Sequence, residues 1–392
     1  MKNKDSKSTG KFDADRMARM VQVFEPMYPF FSKEETEEQD SGICSACFSD
    51  VGLRIEAEKF SSQLSQPCPN CKAQDGHRLT IKDCKILAYR FYILGSVQRV
   101  DYGAAPIVVF NEHQKTTSTL SGVIGEDARV FEDILGVGFF EYGPNLWMLG
   151  ETTPLQCLRK KRERPAVIHD ILQSYPTHVS QPGDIFFRVR TNPSELTKPE
   201  QFDSPPSHII TNGRFESKGL AVLYGSPDLE TCIHESRTAV DDLIYVATLD
   251  PVQPLKLLDL THIPENDVNP FESLDIALHY IFRAGNYSYE ITRTLARSAL
   301  NAGYDGILFP SYFSSLRAGA PVFETLWGLP TRSFPQMQSR IRSQTIPNVC
   351  LFGRPVAEKK LIVRSINRVH LEQAIYRLRM GPLLNEKIQI SD

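Results

Sequence analysis

Nowhere in the 392 residues does an apolar run approach the roughly 18 residues that a membrane-spanning helix needs, so no membrane association is expected. A dominant charge is also missing. Lys and Arg number 44 against 47 Asp and Glu, and the net charge of −3 gives no basic footprint for nucleic acid over the whole molecule. The glycines of GVGFFEYG (136–143) miss the G-x-G-x-x-G spacing and open no clear helix, which sets a Rossmann site aside. The polar start MKNKDSKSTGKFDADR lacks the apolar core of a signal peptide, so the expected location is cytoplasmic. The formal glycosylation sequon Asn286-Tyr287-Ser288 then carries no meaning. In a reducing compartment, eight cysteines point to metal ligation or burial and not to disulfides.

What is present suits two or three domains, with 41% hydrophobic residues to build their cores. The basic start and the acidic run KEETEEQD read as a partly disordered lead over 1–40. Helical periodicity marks 80–98, through Cys84, Leu87, Ala88, Phe91 and Leu94, and also 126–137. The basic run RKKRERP (159–165) reads as a solvated linker. Beyond residue 183 the texture becomes strand-rich: IFFRVR, GLAVLYG, DLIYVATLD, LKLLDLT, YDGILFPS, NVCLFG and KKLIVRSI. DLIYVATLD and LKLLDLT read as a pair split by a Pro-containing turn. Two helices, SLDIALHYIFRAG and YEITRTLARSALNAG, lie among the strands, the second stopped by Gly303. Strands and helices without regular alternation favour an α+β fold.

Cys44-x2-Cys47, followed twenty residues later by Cys68-x2-Cys71, offers four thiolates from two tight knuckles. That is the donor set of structural zinc, and it leaves no open position for catalysis. His77 and Cys84 read as spare residues. Cys157, Cys232 and Cys350 have no histidine placed to activate a thiol and read as buried.

TNGRFESKGLAVLYGSPDLETCIHESR (211–237) sets Arg214, Tyr224 and Glu235 on consecutive elements. Ser226 and Pro227 read as the cap and first residue of a helix. Leu229, Cys232, Ile233 and Ser236 share one face of it, Glu235 flanks that face, and His234 falls on the far side. An arginine after Gly213 can grip a phosphate with two parallel bonds, and a tyrosine at a strand end offers a flat ring. Spacing alone also fits a surface Arg, a core Tyr and an Arg/Glu ion pair, and does not by itself make the three a pocket.

GRFESKGLAVLYGSPDLETCIHE, with YDGILFPS and NVCLFG in the same order, resembles the RES domain over residues 182 to 360. The resemblance implies Arg214, Glu235 and Ser311 as catalytic residues, and Arg188, Arg214, Tyr224 and Ser311 as the set that binds NAD. It further implies an ADP-ribosyltransferase-like mixed or split sheet, and a toxin that consumes NAD with an inhibitory antitoxin or regulatory protein as partner. Tyr224 would stack on nicotinamide, and Ser311 would orient Glu235 or a ribose hydroxyl. One departure stands out: Glu216 occupies a place where the family often has Asn. ICSACFSDVGLRI and PCPNC resemble the HEPN-like RES N-terminal domain found ahead of some RES domains.

The expected organisation is a lead (1–40), a mostly helical zinc-binding N-terminal domain (41–165), a linker (166–181), a RES domain (182–370) and a tail (371–392). The zinc unit leaves nucleic acid open as a further partner. Arg164-x4-His169 has the spacing of a HEPN ribonuclease pair, but Pro165 and the boundary position favour a helix start. Three functions follow: an NAD glycohydrolase or phosphorylase, a protein mono-ADP-ribosyltransferase, or a zinc-ribbon binding module with an inactive RES domain.

Overall fold

The protein is seen in a computed structural model that describes residues 40–60, 66–100, 103–117, 120, 122–141, 152–193, 195, 198–206, 213–264, 272–318, 325–326, 329–375 and 378–383. The expected lead lies outside these residues apart from Asp40. No helix among them is long and apolar enough to cross a membrane. Helices and several sheets are mixed, and the fold is α+β.

The first part comprises β1 (Asp40–Cys44), α1 (Val51–Ala57), β2 (Arg78–Thr80), α2 (Ile81–Ala88), β3 (Val97–Val100), β4 (Gly103–Pro106), β5 (Val108–Asn111), α3 (Val123–Leu135) and β6 (Gly138–Glu141). Thr80 and Asp83 form a capping box that starts α2. Beyond Ala88 the helix loosens into a π turn and then a 3-10 turn. The helix expected to reach residue 98 therefore gives way to β3. Its periodic residues Cys84, Leu87, Ala88 and Phe91 are buried with Phe48, Leu53, Phe131 and Phe139 in one core. Three two-stranded antiparallel ladders, β1–β2, β3–β4 and β5–β6, are absent from the sequence reading. Strands of three to five residues are too short to show alternation.

Next come α4 (Thr153–Arg159), α5 (Arg164–Ser174) and β7 (Thr177–Ser180), so most of the stretch read as a linker is ordered. Pro165 sits in the first turn of α5, where its missing N–H costs nothing. Arg164 is buried, donating to Leu158 O at 2.7 Å and to Glu290 at 3.0 Å, while His169 is exposed. The two side chains form no joint site.

The remaining elements are β8 (Phe186–Thr191), β9 (Val222–Gly225), α6 (Leu229–Ser236), β10 (Ile244–Pro251), β11 (Leu255–Asp259), α7 (Leu274–Arg283), α8 (Tyr289–Asn301), β12 (Gly306–Pro310), α9 (Ser314–Ala318), β13 (Thr325–Leu326), β14 (Leu329–Pro330), α10 (Gln338–Gln344), β15 (Pro347–Phe352) and β16 (Leu361–Val369). They make a five-stranded sheet, β7-β11-β12-β15-β9, and a three-stranded sheet, β16-β10-β8. Only β11 and β12 run parallel, and α7 and α8 fill that crossover. A core of Phe186, Leu223, Leu249, Leu257, Leu308 and Val349 draws on both sheets. The other face of the larger sheet packs on α5, α7 and α8 through Ile171, Ile281, Leu295, Ile307 and Phe309.

The expected pairing of β10 with β11 is wrong. β10 bonds to β16 and β8, whereas β11 bonds to β7 and β12. Pro251 and Pro254 lack the N–H groups that a ladder needs beside its turn. The chain instead passes from one sheet to the other, and Leu249 and Leu255 meet in the shared core.

Candidate active site

The site elements begin where the two sheets touch. Phe187 of β8 and Ser226 exchange backbone bonds of 2.7 and 3.1 Å, bridging β8 to the chain leaving β9. Gly225 permits this approach, because a Cβ there would lie 2.8 Å from Phe187 O. Ser226 Oγ also donates to Pro347 O at 2.8 Å, tying the start of α6 to β15. The helix itself is capped by Asp228, which accepts from Thr231 N at 2.6 Å. The expected Ser226 cap is thus a correction: the bridge to β8 uses the Ser226 backbone, so the helix starts two residues later. Buried Cys232 donates to Phe187 O at 3.1 Å, which fixes α6 against β8. Burial pushes the Cys232 thiol up to about 12, so it stays protonated.

Glu235, in the last turn of α6, is exposed. Its Oε1 accepts from Ser311 Oγ and from Asn348 Nδ2, each at 2.6 Å. Both donors are buried, at 3% and 5% exposure. Their convergence follows from strand pairing. Phe309 of β12 lies opposite Asn348 of β15, and Ser311, two residues after Phe309, continues the ladder through Ser311 N to Ile346 O at 2.9 Å. With a period of two, Phe309, Ser311, Asn348 and Cys350 share one face. Tyr224 lies opposite Cys350 in the next strand and joins that face. His234 is half-buried, stacked on Phe313 at 5.4 Å, and not on an open far side. The short turn after Ser311 brings that ring against α6.

Arg214 is half-buried, with its guanidinium 5.3 Å from the Tyr289 ring centre and 5.8 Å from that of Phe282. Such cation–π contacts orient a cation without neutralising it. Its backbone is held from α8: Thr292 Oγ1 donates to Arg214 O, and Arg293 Nε donates to Gly213 O at 2.8 Å. Tyr224 holds the same turn, its hydroxyl accepting from Phe215 N at 2.9 Å while its ring packs on the helix-side core. Burial pushes this phenol upward, keeping it neutral. Arg188 is buried; it donates to Tyr224 O at 2.7 Å and to Asp203 O at 3.1 Å. Burial first, then the Arg190 charge, brings its pKa down to about 9.

Of the residues singled out in the sequence, the structure brings Glu235 and Ser311 into contact. Tyr224 bonds the turn that carries Arg214, and Arg188 bonds the backbone of Tyr224. The reading missed Asn348, Phe282 and Tyr289. A lone amide in the apolar strand NVCLF was the only available sign of Asn348.

Beside Phe282, a partly buried polar cluster joins α7 to the segment after β12. Arg283 donates to His279 Nε2 at 3.1 Å and to Ser315 Oγ at 2.9 Å, and Arg332 makes two 2.6 Å bonds to Asp275. Burial, with Arg283 and Arg332 nearby, pushes His279 well down, so it stays neutral and can accept.

In the first part of the chain, the sulfurs of Cys44, Cys47, Cys68 and Cys71 all lie within 4.8 Å of one another. Cys44 and Cys71 are 3.7 Å apart, and Cys47 and Cys68 3.6 Å. Four sulfurs at about 2.3 Å around a tetrahedral ion stand ~3.8 Å apart, so the set is compatible with zinc. Cys44 N and Asn70 Nδ2 donate to Cys47 Sγ at 3.5 and 3.4 Å, as supports of a thiolate do. His77 lies outside this cluster, and Cys84 is buried in the neighbouring core.

Residues 185–320 match the family model of the RES domain. A search of curated proteins gives no match. Among solved structures, the chain is similar to one in the crystal structure of the M. tuberculosis MbcT–MbcA toxin–antitoxin complex. The identity is 11%, over 52% of this chain and 91% of that chain, with a TM-score of 0.30.

Proposed function

This chain carries a RES domain, and from that premise we propose that it is a toxin-type enzyme that consumes NAD by cleaving the bond between nicotinamide and ribose. The observation that carries the reading is the exposed Glu235 carboxylate, held by two buried donors. As the bond breaks, its electron pair leaves with nicotinamide and positive charge develops on the ribose. A fixed carboxylate beside the ribose hydroxyls stabilises that charge, as in glycoside hydrolysis. Glu235 has this role, and Ser311 orients it. Arg214, set between Phe282 and Tyr289, takes the pyrophosphate. Tyr224 and Arg188 contribute by holding the turn and strand on which Arg214 and Glu235 depend. Water then supplies the acceptor oxygen of a glycohydrolase, or phosphate that of a phosphorylase. The four cysteines hold a structural zinc, and an antitoxin or regulatory protein restrains the enzyme.

The test is cellular NAD after induced expression, beside Glu235→Gln. A fall in NAD that depends on Glu235 supports the reading. Unchanged free NAD with label passed from NAD to protein would replace it by ADP-ribosyl transfer. A folded protein without either effect removes both enzymatic readings.

A further inference from the structure

The geometry at Glu235 is one-sided. Ser311 Oγ and Asn348 Nδ2 both bond Oε1, and no hydrogen bond to Oε2 is made among the described residues. Ionised carboxylates only accept hydrogen bonds, so the atom that Asn348 presents to Glu235 is its NH2. Asn348 is buried on a strand, between the Pro347 carbonyl that binds Ser226 and the β15 residues paired to β9. It has little freedom to follow the helix if α6 moves. Ser311 is fixed in the same wall by its backbone bond to Ile346, and its Oγ also accepts from Phe313 N at 3.1 Å.

From this we infer that Asn348 is a positioning residue: with Ser311 it clamps one oxygen of Glu235 to the β12–β15 wall and turns the other toward substrate. Glu235 sits on the last turn of an eight-residue helix whose C-cap is Arg237 in the left-handed conformation. The helix end alone does not set the carboxylate's direction; two donors from adjacent strands do. The inference rests on the NAD-cleaving reading for what Oε2 meets, but the clamp itself is a property of the protein.

The experiment compares the full-length protein with Asn348→Leu, which keeps the size but has no donor, and Asn348→Gln, which keeps an amide N–H. NAD consumption is measured over a range of NAD concentrations. Loss of one hydrogen bond to a charged group predicts a kcat about ten- to a hundredfold lower for Asn348→Leu. KM stays within about threefold, because the clamp acts on orientation, and Asn348→Gln recovers at least part of the loss. A kcat within twofold of native for a folded Asn348→Leu overturns the positioning role and leaves the NAD reading standing. If the native protein consumes no NAD, that reading falls. The clamp is then decided by crystal structures of native protein and Asn348→Leu. A Glu235 carboxylate displaced or split between rotamers only in the variant supports the clamp. An unmoved carboxylate overturns it.

Discussion

On the proposed zinc site, removing the metal from the four-cysteine unit should unfold the first part of the chain and spare the RES domain. The two knuckles hold segment 40–60 to segment 66–80 through paired sulfurs. Without an ion, that link reduces to the short β1–β2 ladder, a few loop and side-chain bonds around Ser41, Ser45 and Asp40, and the packing of Leu79 on the N-terminal core. Segment 40–60 supplies Ile43, Phe48 and Leu53 to the N-terminal core, at 6%, 1% and 0% exposure. At about 1.5–3 kcal/mol for each large apolar side chain buried, their release removes about 5–9 kcal/mol. A whole domain is stable by only about 5–15 kcal/mol, so a loss of this size is comparable with the whole stability of the N-terminal unit. None of the three belongs to the core around Leu258, Ile281 and Ile307. A chelator should therefore release one equivalent of zinc per chain and abolish amide-exchange protection in 40–60 and 66–88, while β9, β12 and β15 stay protected; Ile93 and its neighbours pack on the RES-side core and keep part of their protection. Unchanged protection in 40–60 and 66–88 refutes the structural role of the metal. Simultaneous loss in both parts refutes the independence of the two cores.

Ser311→Ala removes one of two bonds to Glu235 Oε1 and leaves Asn348 in place. The expected loss in kcat for NAD is about tenfold, or ~1.4 kcal/mol; steady-state rates check it, and a loss below twofold contradicts the role. Arg188→Lys offers one ammonium to two carbonyls that now receive separate donors. It should lower stability by about 2–3 kcal/mol in urea unfolding, and an unchanged midpoint contradicts that. Gly381→Val tests the returning tail, where Met380 N bonds Glu56, Lys59 bonds Leu378 O, and a Cβ on Gly381 would lie 2.5 Å from the Gly95 Cα. Only the N-terminal melting transition should fall, by a few degrees; an unmoved transition means that the tail contributes nothing there.

Features written in local chemistry could be read from the sequence. The knuckle spacing, the apolar strands after residue 183 and the glycine stop after α8 each depend on neighbours within a few residues. What could not be read depends on distant partners. β10 and β11 look like a hairpin because they are adjacent and apolar, yet prolines at the turn send them to different sheets. Ser226-Pro227 looks like a helix start because nothing local reveals the bridge from Ser226 to Phe187. Asn348 reaches Glu235 across 113 positions, and the rings beside Arg214 come from α7 and the start of α8. Arg214 and Glu235 stand out in one short stretch, but only family resemblance joins them to Ser311 as a site, since spacing alone could not separate a pocket from unrelated residues.

Glu216 shows how such a departure can be absorbed. The sequence casts it as a stray carboxylate near a phosphate-binding arginine. In the structure it is buried beneath the turn, its carboxylate beside Gly213. Two positions apart on β8, Arg188 and Arg190 share one face and repel each other, the Arg190 charge helping to lower the pKa of Arg188. Two guanidiniums out of water need carboxylates close by. Asp203 acts on both, and Glu216 is the second negative group favouring the charged form of Arg190. An Asn at 216, as the family often has, would remove one of the two negative groups that favour the charged form of Arg190, the other being Asp203, which also acts on Arg188. The carboxylate therefore adds to the negative charge that favours the charged form of Arg190 on β8.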